Sequence, residues 1–193
     1  SIAALAETKG VSELEVIYDE FLKNEGTNLV YACFTPYDNH KLDFVERAYS
    51  LKSSVAGGSD GGAHCGLICD ASMPTTNLSH WARDREAGKK IPIELIVRKQ
   101  TKDTAETYGL FDRGEIKTGM IADLNIIDFE NLNVTHPKMV YDLPMGGRRL
   151  IQNSFGYLAT VKSGEVVYES GEATGVLPGK LIRGKQTCEV KAE

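Results

Sequence analysis

The stretch SSVAGGSDGGAHCG, residues 53–66, sets a short apolar run directly against a glycine-rich loop, with one acidic residue at the junction. Ser54–Gly58 reads as a buried strand, and Asp60 stands where that strand ends and the loop begins. Upstream, the same alternation of element types appears. Val11, Leu14, Ile17, Tyr18, Phe21 and Leu22 recur at three- and four-residue spacing, and Ser12 with Glu15 can form a capping box, so an amphipathic helix ending near Gly26 is expected. Leu29–Phe34, bounded by Asn28 and Pro36, reads as a strand buried on both faces. A second helix comes next, with Leu42, Val45 and Tyr49 on one face and Asn39 as its cap. Strands alternating with helices of this length predict parallel βα units, covered on both faces, and the chain holds about two of them.

Downstream the pattern turns helical from Asn77 to Leu110, through Trp81, Ile93, Ile96 and Val97, with Pro92 in a first turn and Thr101 capping one more short helix. After Gly114 glycines punctuate short apolar runs such as ADLNIID (122–128) and YLATVKSGEVVYESG (157–171), which read as strands with a hairpin turn at Ser163-Gly164. The expected organisation is an α/β part over 1–112, a β part over 113–183 and a polar, frayed tail over 184–193.

The composition narrows the function. A chain of 193 residues that is 41% hydrophobic is long enough to bury a core. Its net charge of −5, with acids and bases interspersed, offers no basic stripe for a nucleic acid or an anionic membrane. There is no long apolar run, and the opening SIAALAETKG lacks the layout of a secretion signal, so a cytoplasmic protein is expected. Cys33, Cys65, Cys69 and Cys188 are too sparse for a disulfide scaffold and are expected to be reduced. The start at Ser1, already inside a pattern, suggests a truncated or processed product.

An ionisable group at the carboxyl end of a barrel strand is where α/β barrels keep their reacting groups. Gly61 and Gly62 would let a substrate approach the backbone, and the Asp60 carboxylate could take a proton from a metal-bound water. On this segment alone, the commoner fate of a loop aspartate is to cap a turn or a helix. His64 could line the mouth of such a site, although a loop histidine without a role is commoner still. Cys65 and Cys69 lack the second pair of ligands that a structural zinc needs. His80 and Trp81 fit helix packing. Arg83 and Arg85, or Arg148 and Arg149, could offer a bidentate fork to a substrate carboxylate, against the ordinary reading of arginines on a solvated face. Gly146-Gly147 has neither the strand nor the lysine of a P-loop.

SDGGAH, then CDASMPTTNLSHWARDR, then TKDTAETYGLFDRGEIKTGMIADLNIID, then YDLPMGGRRL, is similar in order and spacing to the N-acyl-D-amino acid deacylases, or D-aminoacylases, of the amidohydrolase superfamily. Gly114-x-Ile116-x-x-Gly119-x-x-Ala122-Asp123-Leu124 resembles the segment by which that superfamily passes from its barrel into a small β-sandwich. The resemblance implies an α/β fold, the last βα units of a (β/α)8 TIM-type barrel plus part of a sandwich. It implies hydrolysis of an N-acyl-D-amino acid to a carboxylate and a D-amino acid, with Asp60 as general base and zinc as the metal. Ser59, Gly61, Gly62 and His64 would then line the substrate, and Asp60 could itself add a metal ligand beside absent histidines.

The superfamily's metal site needs a His-x-His and further histidines, whereas this chain has only His40, His64, His80 and His136. Most zinc ligands, and a missing amino-terminal barrel half as partner, would thus lie elsewhere, leaving the chain inactive alone; an oligomer is compatible with this. Two other readings remain open. One is a non-catalytic fragment or half of a split protein. The other is a cyclic-amide hydrolase of the dihydropyrimidinase or hydantoinase type, because the same metal chemistry serves both substrates.

Overall fold

The computed structural model describes residues 1–32, 41–62 and 65–187. Two compact units divide the chain, Ser1–Leu42 and Asp43–Glu193.

The first unit is a pair of helices. α1 (Ile2–Lys9) starts on the Ser1 hydroxyl, which accepts from the Ala4 amide, and stops at Gly10 in the left-handed conformation. α2 (Glu13–Gly26) carries the expected capping box: Ser12 Oγ accepts from the Glu15 amide, and the Glu15 carboxylate accepts from the Ser12 amide at 2.9 Å. Helical geometry fails at Lys23–Glu25, where Asn24 and Glu25 take positive φ. Val16 is fully buried, yet Leu14 is 77% and Tyr18 64% exposed, so the apolar stripe legible in the sequence faces outward. The strand expected over Leu29–Phe34 is absent from Leu29–Ala32, where Tyr31 is 84% exposed; Cys33 and Phe34 lie outside the described residues, as does Asn39, the expected cap. Among the described residues no strand lies beside Leu29–Ala32 to complete a ladder.

The second unit begins with α3 (Asp43–Ser50), which packs on α5 (Ile93–Gln100). Burial pushes the Tyr49 phenol up to about 12. The strand expected at Ser54–Gly58 is likewise absent: the segment forms no ladder and Val55 stays partly open to solvent. The predicted parallel units are therefore corrected among the described residues. Every strand pairing there is antiparallel, and the single parallel contact is an isolated bridge from Leu110 to Gln186.

α4 (Met73–Thr76) runs straight into a π-helix, Asn77–Asp84, and then come α5 and α6 (Lys102–Thr107). Pro92 precedes α5 as its cap residue, and Thr101 precedes α6, although its hydroxyl donates back to the Val97 carbonyl at 2.7 Å instead of capping forward. Leu78, Trp81, Ile91, Ile96 and Ala105 make the apolar centre of this helical part, with Ile96 fully buried.

The β part comprises β1 (Leu124–Ile127), β2 (Asn133–Val134), β3 (Lys138–Leu143), β4 (Gly147–Ile151), β5 (Ser154–Phe155), β6 (Tyr157–Lys162), β7 (Glu165–Glu169) and β8 (Glu172–Ala173). A four-stranded sheet has the order β1-β6-β7-β8, and β2-β5 and β3-β4 are separate ribbons. Ser163 and Gly164 both take positive φ between Lys162 and Glu165, the two-residue turn whose twist suits a hairpin; Ser170 and Gly171 repeat it between β7 and β8. Leu132 is fully buried, and the β part closes over it at Gly156, where φ is 94° and an added Cβ would stand 2.7 Å from the Leu132 Cα, so no side chain fits.

Candidate functional site

Asp60 ends an irregular segment that, among the described residues, has no sheet to support it. Its φ is 46°, a left-handed conformation that aspartate tolerates better than most residues. The carboxylate is exposed, and among the described residues it makes no hydrogen bond or ion pair, so the capping role that loop aspartates commonly play is not the one it performs here. Ser59 beside it is half-buried, and Gly61 and Gly62 are exposed. His64 lies outside the described residues.

Both glycines stand in close quarters. A Cβ on Gly62 would stand 2.8 Å from Cys65 Sγ, and one on Gly61 would stand 3.2 Å from the Ala71 Cβ, whereas Gly57 and Gly58 have open space. The chain thus folds tightly back on itself immediately after Asp60, with the Cys65 amide donating to the Gly62 carbonyl at 3.3 Å. Cys65 and Cys69 are free thiols, and burial, then the charge of Asp70, pushes the Cys69 thiol up.

Neighbouring elements hold this loop by named bonds. The Leu150 amide of β4 donates to the Cys65 carbonyl at 2.7 Å. Ser72, just before α4, donates to Gln152 Oε1, and Gln152 Nε2 in turn donates to the Thr135 carbonyl at 2.8 Å. Thr75 shares a 2.8 Å hydrogen bond with the Tyr157 hydroxyl and donates to Ser154 Oγ at 3.0 Å. A buried polar seam therefore ties the helices after the loop to β4, β5 and β6.

The arginines considered as carboxylate clamps are mostly engaged. Arg83 donates to the carbonyls of Phe129, Glu130 and Leu132 and forks onto Asp84. Arg85 is 4% exposed, stacks 4.4 Å over the Trp81 ring, and donates to Asp43 at 2.9 Å and to the Ala87 carbonyl at 2.8 Å. Arg149 forks onto Asp142 at 2.7 and 2.8 Å. These three are structural, which corrects their candidacy; Arg148 remains exposed on β4. His80 meets Trp81 edge-on at 5.3 Å, and burial, then Arg85, holds its imidazole below the ordinary value.

A family model described as the amidohydrolase family matches residues 18–168, a span that includes the Asp60 loop and both parts of the second unit. The chain belongs to the amidohydrolase family. Neither the curated proteins nor the solved structures compared with it gave a match. No helix among the described residues of this amidohydrolase is long and apolar enough to cross a membrane.

The donors present do not suit the metal that such hydrolases hold. Among the described residues no three His, Cys, Asp or Glu side chains come together in a group able to bind an ion, and His40 and His64 fall outside them. The described residues do not fit a resident zinc.

One residue of consequence, Lys99, is not singled out by any motif. It comes three positions after Ile96 and six after Ile93, on the stripe that α5 buries, and a lysine on an apolar stripe is the only signal the sequence gives of it.

Proposed function

We propose that this amidohydrolase hydrolyses the amide of N-acyl-D-amino acids, with Asp60 as the general base. The observation that carries the reading is the Asp60 carboxylate itself, exposed and unpaired among the described residues in a left-handed turn, ahead of two glycines where an added Cβ would press on the Ala71 Cβ and on Cys65 Sγ. A carboxylate spent on nothing structural is free to work on a substrate. It would take a proton as water attacks the acyl carbon and return that proton to the leaving amine, giving a carboxylate and a free D-amino acid. Ser59, Gly61, Gly62 and His64 would border the substrate. The zinc that this reading calls for would need donors outside the described residues, so the part played by Asp60 is confined to the proton.

The similarity of SDGGAH and YDLPMGGRRL to the deacylases ranks N-acyl-D-amino acids above cyclic amides as substrates. The test compares zinc content and hydrolysis of N-acetyl-D-amino acids in this chain, in the protein from its complete gene, and in its Asp60→Asn variant. Asp60→Asn should keep its fold and lose about a thousandfold in turnover; unimpaired turnover would sink the assignment.

A second reading, half of a split protein, is favoured by the exposed apolar stripe of α2, with Leu14, Tyr18, Phe21 and Leu22 open to solvent. If the chain stays monomeric at high concentration and binds no hydrophobic-surface dye, that reading fails.

A further inference from the structure

Lys99 lies on α5 and is 3% exposed, so its ammonium group is withdrawn from water and its desolvation must be offset by partners. The partners are backbone. Lys99 Nζ donates to the Leu51 carbonyl at 2.7 Å and to the Ser54 carbonyl, with Ser54 Oγ at 3.5 Å. The carboxylate of Asp103 lies 3.8 Å away, fixed by a 2.8 Å hydrogen bond from Arg98 Nε. Ser54 Oγ itself donates to the Ala48 and Leu51 carbonyls, so the end of α3 and the start of the next segment converge on one buried cation.

Beyond Ser54 runs the irregular segment that ends at Asp60. Among the described residues no strand lies beside 55–60, so no ladder there sets their path. The run is governed by its anchors: Lys99 before it, and the Leu150 to Cys65 bond after it. We propose that Lys99 is a positioning residue, which fixes where Asp60 stands by clamping the Leu51 and Ser54 carbonyls. It touches no reacting atom. The proposal rests on the reading of Asp60 as general base, and the clamp itself can be measured without turnover.

The experiment uses Lys99→Met, which keeps length and loses the charge. Arg83→Met is the matched control, because Arg83 also holds a loop through carbonyls, at 129, 130 and 132, but far along the chain from Asp60. Hydrogen exchange is followed on the full chain, and steady-state kinetics on the protein from its complete gene. In Lys99→Met the amides of Leu51 and Ser54, which donate to the Ala48 and Leu51 carbonyls at 3.2 and 3.3 Å, should exchange at least about tenfold faster, because the clamp on that turn is gone. The kcat should fall about a hundredfold while KM holds within about twofold, as expected when a group acting in the transition state is displaced by about 1 Å. Arg83→Met should quicken exchange near 129–132 and spare both quantities.

Unchanged exchange at Leu51 and Ser54 in Lys99→Met overturns the proposal, and so does an equal kcat loss in Arg83→Met. If the unaltered protein hydrolyses nothing, the functional reading fails, and the exchange result alone decides the clamp. Should Lys99→Met not fold, Ser54→Ala loosens the same clamp from its other side and carries the same expectations.

Discussion

Gly62→Ala is the sharpest test of how the loop after Asp60 is built. The added Cβ would meet Cys65 Sγ at 2.8 Å, where an ordinary contact begins near about 3.5 Å, so something must move by about 0.7 Å. The backbone at Gly62 is not left-handed, and alanine adopts it without strain; the collision with sulfur is therefore the whole cost. The sulfur is the far end of a half-buried side chain that can turn aside, so the cost should stay within about 1 kcal/mol, which for a chain of this length lowers Tm by about 2–4 °C. Three neighbours calibrate the result. Gly61→Ala meets the Ala71 Cβ at 3.2 Å and should lose less, and Gly57→Ala and Gly58→Ala meet nothing within 4 Å and should be neutral. Removing the sulfur in the double variant Gly62→Ala, Cys65→Ala should restore most of the loss, a coupling that a double-mutant cycle in urea reads directly. Were Gly62→Ala to melt with the unaltered chain, or the double variant to sum the two single losses, the contact between loop and thiol would not exist as described.

Leu132 is fully buried where the β part closes on Gly156, and Leu132→Ala should cost about 2–5 kcal/mol in denaturant unfolding. His80 is held below its ordinary 6.5 by burial and by Arg85; stability should be complete above 6.5 and decline as pH falls through the lowered value, and His80→Gln should abolish that part of the pH profile of Tm. Leu150→Pro deletes the donor to the Cys65 carbonyl at a position whose amide does not face β3, so hydrogen exchange should quicken at the Cys65 amide, which donates to the Gly62 carbonyl, while the β3-β4 ribbon keeps its protection.

The helices and turns were legible because their signals are local. Ser12 with Glu15 is a complete instruction for a helix start, and Ser163-Gly164 for a hairpin, and both form as read. The two expected strands were not legible in that sense. An apolar run such as Ser54–Gly58 states only that a segment could be buried; a strand needs neighbours to pair with, and among the described residues none lies beside it. The same limit hid the arginines' roles. Nothing local distinguishes Arg83, which collects three carbonyls, from Arg148, which stays exposed. Glycines and an apolar run frame Asp60 and make it stand out in the sequence, whereas the bond from Lys99 to Ser54 spans 45 residues of chain and leaves only the oddity of a charge on a buried stripe.

The loop's dependence on distant segments has a consequence for how this amidohydrolase can tolerate change. A catalytic carboxylate at the end of a barrel strand inherits its position from the ladder on either side. Asp60, among the described residues, has no ladder and is held instead by side chains and single bonds: Lys99 upstream, the Leu150 amide and the Ser72–Gln152–Thr135 chain downstream. Each of those bonds is worth only about 0.5–3 kcal/mol, and none backs up another. Position at Asp60 should therefore be lost in steps, one anchor at a time, well before the helical core around Ile96 or the sheet around Leu132 gives way. Substitutions at the anchors and at the core would then separate cleanly, the first acting on turnover and local exchange, the second on global unfolding.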